Sequence, residues 1–430
     1  MELEDLDNSA GFINMNAQKL QTFIREYKKY VQYLKEHLII YGDGKIIVGQ
    51  KSQGYKLSVK RYEYATQQEI SIKDRVIRRK IRTQQNEQRS ILRKTKQKYH
   101  YLTKWFNSDL VIDVGGALKK VEELFPPQAG GIRGTRRGKP SKSSKRFKAI
   151  QSIKKFEEQD FYYNVDDNVG RFHSNLTNIK RELRHFITYK GQKLVNIDIK
   201  NSQPLFSTLL LREEFYNQKN QNININIITK GQIPQSPNLP SHKKIKLTKL
   251  PLSSSYIILV KTLQKANNEI LTKYVDFVNS GEFYKKISEV IYPNKPFDKG
   301  AIKKLVYSIF FSSNRYLGQP GAEPKRDFKT HFPGVYSIFS LIKKNNHQAL
   351  AVMLQRIEST IMVHNASLRI SAEKPDLPIF TIHDSIATTV VYEAYVEQVI
   401  QEVILKLTAL KASLDKEYWG GKGTTSIEFI

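Results

Sequence analysis

PIFTIHDSIATTVV, residues 378–391, sets two apolar and β-branched runs on either side of one polar pair, His383-Asp384. Runs of this length and composition read as the strands of a buried hairpin with the pair at its tip. Taken singly, Asp384 could be a turn former and His383 a satisfied polar residue. A second stretch gives the pair a counterpart. In LVNIDIKNSQPLF, residues 194–206, Asp198 ends a short β-branched strand, and Asn201, Ser202 and Pro204 are residues that start helices. Its carboxylate is therefore aimed out of a strand-to-helix turn, where an isolated Asp could equally be a cap. Two such aspartates, in a basic chain without cysteine, suit a site for two Mg²⁺ ions, or Mn²⁺ in their place, roughly 3.5–4 Å apart for an in-line phosphoryl displacement.

The composition points the same way. Lys+Arg number 70 against 41 Asp+Glu, a formal net charge of +29 over 430 residues, which predicts a polyanionic partner, nucleic acid first. With no cysteine at all, disulfides, zinc fingers and thiol nucleophiles are excluded, and any metal must sit on oxygen or imidazole. No apolar run approaches the roughly 20 residues that cross a bilayer, and the start MELEDLD is neither a signal nor a transit peptide. The expectation is a soluble protein without membrane partners, cytoplasmic or nucleoid-associated. Abundant Lys, Asn and Ile hint at an AT-rich genome such as that of a phage or mobile element.

Along the chain, residues 16–42 carry apolar residues near helical spacing and predict one amphipathic helix ending near Gly42. KDRVIRRKIRTQQNEQRSILRKTKQK, residues 73–98, holds eleven Lys/Arg against two acids. A basic helix or helix pair is expected there, with Arg78, Arg79 and Lys80 among the candidates for phosphate contact. GGIRGTRRGKPSKSSKRFK, residues 130–148, has eight Lys/Arg and no acid; it predicts either a plain linker or a loop whose Arg136 and Arg137 close on a phosphate backbone. From 156 the pattern becomes strands around a turn at Asp166-Asp167-Asn168. Residues 212–255 read as a polar insertion of low structural content. Helical periodicity returns over 256–290 and 297–314, and a long helix is expected over 335–368, with another over 392–414.

KGAIKKLVYSIFF, residues 299–311, places Lys299, Lys303, Tyr307 and Phe311 at every fourth position. At 100° per residue this drifts about 40° per step and keeps all four on one stripe. Two cations followed by two aromatics can hold a triphosphate at one end and stack a base at the other. An ordinary amphipathic helix, with Leu305, Val306 and Ile309 on its core face, has the same spacing.

In this order, GRFHSNLTNIKRELR (170–184), DIKNSQP (198–204), the Lys-x3-Lys-x3-Tyr helix and HDS (383–385) resemble the palm and fingers of the family A, DNA polymerase I-like, nucleic-acid polymerases. There is a further likeness to single-subunit phage and mitochondrial RNA polymerases. The covered part runs from about Gly170 to Thr389. The resemblance implies an α+β right-hand fold: a basic, helical, thumb-like region at 1–155, an antiparallel-sheet palm at 156–212 and 335–430, and an insertion plus helical fingers at 213–334. It implies that Asp198, Asp384 and the backbone carbonyl of Ile199 bind the two metals. Lys303 would hold the nucleotide's phosphates and could protonate the leaving pyrophosphate, with Lys299 beside it, and Tyr307 would lie under the base and sugar. Arg171 and Asn175 would touch the primer–template near the junction, and His383 would contact the primer end or support the site.

The implied activity is template-directed addition of nucleoside triphosphates to a primer 3′-hydroxyl, as a DNA polymerase without a proofreading exonuclease. Three features depart from the DNA enzymes. Ser385 stands where they carry an acid, as in the RNA polymerase branch. Gln203 stands where they place a glutamate that blocks a 2′-hydroxyl, and Ser308 replaces a glycine after the aromatic. An RNA polymerase or primase, an untemplated nucleotidyltransferase and an inactive nucleic-acid-binding relative are the alternatives; the last should have lost Asp198, Lys303 or Asp384, and none is missing.

Overall fold

Leu194 to Ile197 are all buried, as is Ile199 beyond the half-buried Asp198, so the strand that carries Asp198 is covered on both faces rather than alternating toward solvent. A computed structural model of the chain describes residues 13–42, 44, 53–57, 73–126, 142–216, 223–230 and 254–420. It divides into two units, the first made of 1–97, 111–162 and 178–187, the second of 98–110, 163–177 and 188–430.

In the first unit, strands β1 (Ile13–Asn14), β2 (Ile40–Gly42) and β3 (Gly54–Leu57) form an antiparallel sheet in the order β1-β3-β2. Two short helices, α1 (Ala17–Phe23) and α2 (Tyr27–Glu36), stand where the sequence predicted one helix to Gly42. The chain breaks after Phe23, and Leu38 then takes φ 53°, which ends α2 and turns Ile40–Gly42 into a strand. Helix α3 (Arg75–Lys98) is the expected basic helix, and Thr95 is its only buried residue. Arg78 and Arg79 are exposed; Lys80 is half-buried and donates to the Phe23 carbonyl at 3.4 Å. After strand β4 (Leu110–Ile112) comes α4 (Val114–Leu124), capped by the Asp113 carboxylate on the Gly116 amide at 3.1 Å. Helix α5 (Lys142–Glu157) begins inside the stretch read as a basic loop, because Phe147, Ala149, Ile150 and Ile153 resume helical spacing. Arg136 and Arg137 lie outside the described residues.

The second unit contains the hairpin β5 (Tyr163–Val165) and β6 (Phe172–Ser174), then β7 (Ile187–Tyr189) and β8 (Gln192–Ile199). Helix α6 (Ser202–Ser207) follows at once. The supposed insertion contains α7 (Ile225–Lys230), whose Ile225 and Ile228 are buried together with Ile223; the isoleucines of NININI serve a core, not a linker. Most of the rest of that stretch lies outside the described residues.

Next come α8 (Ser254–Ala266), α9 (Asn268–Asn279), α10 (Phe283–Ile291), α11 (Lys299–Phe311), α12 (Glu323–His331) and α13 (Pro333–Ile342). The helix expected over 335–368 is in fact α13, a loop, α14 (Ala349–Ile361), one π turn at Met362–Ala366 and α15 (Ser367–Glu373). The polar run Lys343-Lys344-Asn345-Asn346 has no apolar stripe to continue α13, so the chain leaves the helix there. The hairpin β9 (Phe380–Ile382) and β10 (Ser385–Thr389), helix α16 (Glu393–Thr408) and strand β11 (Leu414–Tyr418) complete the unit. The fold is α+β, with β8 paired antiparallel to β7, β10 and β11, and β10 to β9.

Aromatic packing joins the helices. The ring of Tyr274 on α9 lies 5.6–6.4 Å from those of Phe283, Phe328, Phe332 and Phe339. Its hydroxyl and that of Ser207, both buried, are 2.9 Å apart, which ties this cluster to α6 just beyond Asp198. Ser207→Ala should cost about 1–3 kcal/mol in chemical denaturation, because it leaves a buried hydroxyl unpaired. Combined with Tyr274→Phe, the loss should be smaller than the sum of the single losses. Additive losses would show that the bond contributes nothing.

Candidate active site

Register brings the acids together. In the antiparallel ladder Asp198 on β8 lies opposite Ser385 on β10 and opposite Asp415 on β11, and directly opposed residues share a face of the sheet. Asp384 occupies the two-residue turn between Ile382 and Ser385. Its backbone carbonyl accepts from the Ile199 amide at 3.3 Å, and its Oδ2 accepts from Ser202 Oγ at 2.5 Å. The Asp198 and Asp384 side chains line the same cavity and interact electrostatically.

Two left-handed residues hold this arrangement. Asn201 has φ 56° and His383 has φ 56°. Asn tolerates this conformation, whereas a non-glycine such as His accepts it at a cost of roughly 1–2 kcal/mol. His383 adjoins Asp384 and Asn201 follows Asp198 by three residues, and backbone strain commonly clusters at functional sites.

The electrostatics are costly. Burial first, and then the neighbouring Asp384, push Asp198 up to about 8, with Asp415 and Glu358 adding to the shift. Asp198 Oδ1 is buried without a hydrogen-bond partner. Like charges this close do not both ionise readily unless a cation sits between them. The donors gathered here are oxygens, which suits a hard divalent ion. Among the described residues no group of three or more His, Asp or Glu side chains is close enough to hold a metal, but Mg²⁺ ordinarily takes only one or two protein carboxylates, with water and substrate phosphates completing its shell.

Opposite the acids stands α11. Its Ile302, Leu305, Val306, Ile309 and Phe310 are buried, while Lys299, Lys303 and Tyr307 face the other way, Tyr307 with 54% of its surface exposed. Asp298 caps the helix, accepting from the Gly300 and Ala301 amides at 2.7 and 3.1 Å. A cavity of about 230 Å³ is lined by Asp198, Ile199, Gln203, Asp384 and Asp415 on one side and by Lys299, Lys303 and Tyr307 on the other. Phe311, one turn beyond, lies tilted by 36° against Tyr307 with ring centroids 5.6 Å apart and does not line the cavity.

Other expected residues are spoken for by protein partners. The Arg171 guanidinium binds Glu358 through Nε at 2.8 Å and Nη2 at 2.5 Å. Gln203 donates through Nε2 to the other Glu358 oxygen at 2.8 Å. Asn175 is buried at the start of a short helical turn. His383 lies edge-on to His173, with ring centroids 6.4 Å apart.

Sequence reasoning missed four participants. Asp415 becomes visible only through the pairing of β11. Glu358 is one buried acid inside the apolar helix α14, pushed up to about 8 by burial and by Asp384 despite Arg171, and that isolation was its available signal. Tyr284 on α10 lines the cavity with its ring 5.6 Å from Lys303 Nζ, and burial pushes its hydroxyl up to about 12. Lys200 lines the same cavity between the acids' loop and Asn201.

No protein-family model matches the chain, and no curated protein matches it in sequence. One solved structure it is similar to is a polymerase domain. That structure is the POL domain of Pol1 from M. smegmatis in complex with DNA primer-template and dNTP, at 10% identity and a TM-score of 0.38 over 80% of this chain and 73% of that one. Among the described residues no helix is long and apolar enough to cross a membrane.

Proposed function

We propose that the chain is a nucleotidyltransferase that extends a primer 3′-hydroxyl along a template, as a DNA polymerase of the family A type. One observation carries this reading: two carboxylates from different strand ends meet at a cavity whose opposite wall is a cationic and aromatic helix stripe. Acids alone would suit many hydrolases, and lysines alone any anion. Together they suit a substrate that brings both a divalent ion and a polyphosphate.

Asp198, Asp384 and the Ile199 carbonyl would hold Mg²⁺, which when bound neutralises phosphate charge and eases deprotonation of the attacking hydroxyl. Lys299 and Lys303 would bind the β- and γ-phosphates, and Lys303 would give its proton to the leaving pyrophosphate as the primer oxygen joins the α-phosphorus. Tyr307 and Tyr284 would flank the nucleotide, with Tyr307 against the base. Gln203, held by Glu358, would lie near the sugar. Basic helix α3 would supply phosphate contacts to the nucleic acid in a salt-dependent manner.

Primer extension with all eight nucleotides, on DNA and RNA templates, tests the reading. Extension with dNTPs that stops on chelation of divalent ions is the expected result; extension without a template or without divalent ions would contradict it. The neutral amide of Gln203 is the observation that favours an RNA-synthesising alternative. A preference for NTPs in the same assay would select that alternative.

A further inference from the structure

Helix α11, the cationic wall of the cavity, ends against two buried lysines that play no part in the chemistry described above. Lys325 on α12 is fully buried and donates through Nζ to Ser312 Oγ at 2.9 Å and to the Ser313 carbonyl at 2.8 Å. Lys343, the residue that follows α13, is 2% exposed and donates to the Ile309 carbonyl at 2.5 Å and the Ser312 carbonyl at 3.2 Å. The Ile309 and Ser312 carbonyls close the C-terminal end of α11, where helix carbonyls lack intrahelical partners and the helix dipole is negative, whereas the Ser313 carbonyl opens the next turn and also accepts from the Tyr316 amide at 3.1 Å.

The arrangement is expensive. No carboxylate of the described residues forms an ion pair with either lysine. The titratable groups near them are each other and Tyr336, whose ring lies 5.8 Å from Lys325 Nζ. Burial pushes Lys325 down to about 8, and burial together with Lys325 pushes Lys343 down to about 7. Apolar side chains would fill the same space at lower cost. What two amine groups add is direction, since their N–H bonds to particular oxygens define one seat for the helix end.

We propose that Lys325 and Lys343 are positioning residues that fix the pitch of α11 over the cavity, and so set where Lys303 and Tyr307 meet the nucleotide. The inference rests on the nucleotidyltransferase reading. Ile309 and Lys303 are about 9 Å apart along the helix axis, so a tilt of only about 6° at the clamped end moves Lys303 by about 1 Å, a displacement able to cost about a hundredfold in rate.

The test compares Lys343→Met and Lys325→Met with the wild type by nucleotide kcat and KM, primer affinity and amide hydrogen exchange. Faster exchange at Phe310–Ser313, a kcat for nucleotide addition lowered by up to about a hundredfold, a raised nucleotide KM and unchanged primer affinity are expected. A purely structural role would instead lower stability and primer affinity together without favouring kcat or KM. Because the folded pKa values lie below the ordinary 10.5, the unfolded chain binds more protons between about pH 7 and 10.5, so wild-type stability should be lost as pH falls through that window. Lys343→Met should flatten this dependence. Exchange at Phe310–Ser313 unchanged in both variants overturns the inference, whatever the wild type does with nucleotides. A wild type that neither binds nor adds nucleotide overturns the polymerase reading, while faster exchange in the variants would still show that the lysines hold the helix.

Discussion

Asp384→Ala is expected to abolish primer extension, with a loss of at least about a thousandfold, or about 4 kcal/mol in the barrier, while primer–template binding stays close to wild type. Asp384 does two things at once. Its carboxyl group closes on Asp198 at the cavity, and its backbone carbonyl and Oδ2 hold the Ile199 amide and Ser202 hydroxyl. The alanine variant keeps the backbone link, so the strand-to-helix turn should survive. It also removes the like charge that helps push Asp198 up to about 8, so the melting temperature should not fall along with the activity. Single-turnover extension beside a thermal melt separates the two effects. Extension at a near wild-type rate would remove the carboxylate pair from the chemistry.

Lys303→Ala should be the second largest loss, about a hundredfold or more in kcat/KM for the nucleotide, because a cation aimed at the phosphates acts mostly on developing charge. The Tyr284 ring 5.6 Å from its ammonium limits where that charge can rest, and Asp298 fixes the start of the helix. The loss should appear in kcat as well as in KM, since a group that only bound ground-state phosphate would change KM alone. Lys299→Ala, one turn earlier, should act mainly on KM. A Lys303→Ala enzyme within about threefold of wild type would mean that α11 is not the phosphate-holding wall.

The sequence made local features legible. Asp198 at a strand end, Asp384 at a hairpin tip and the α11 stripe each follow from periods of two and 3.6 read over a dozen residues. Their meeting in one cavity does not follow from periodicity and entered through the order of the motifs. Asp415 escaped because its position depends on the register of β11 against a strand from a distant part of the chain. Glu358 escaped because a single acid on a helix normally faces water, whereas α14 is buried nearly throughout. The long helix expected over 335–368 failed because apolar spacing cannot reveal where a run of lysines and asparagines releases the chain, and Lys343 at that break turns inward to the end of α11.

Strand β11 has a consequence for how the protein comes into being. It lies along β8 with Asp415 facing Asp198, yet it is translated long after β8. A nascent chain that has emerged only as far as α16 presents that stretch of β8 with bare amides and carbonyls, a template for pairing with some other polypeptide. Ribosomal synthesis therefore has to deliver Tyr418 before this length of strand is sealed, and shortened products ending before Leu414 should associate with one another where the longer product does not.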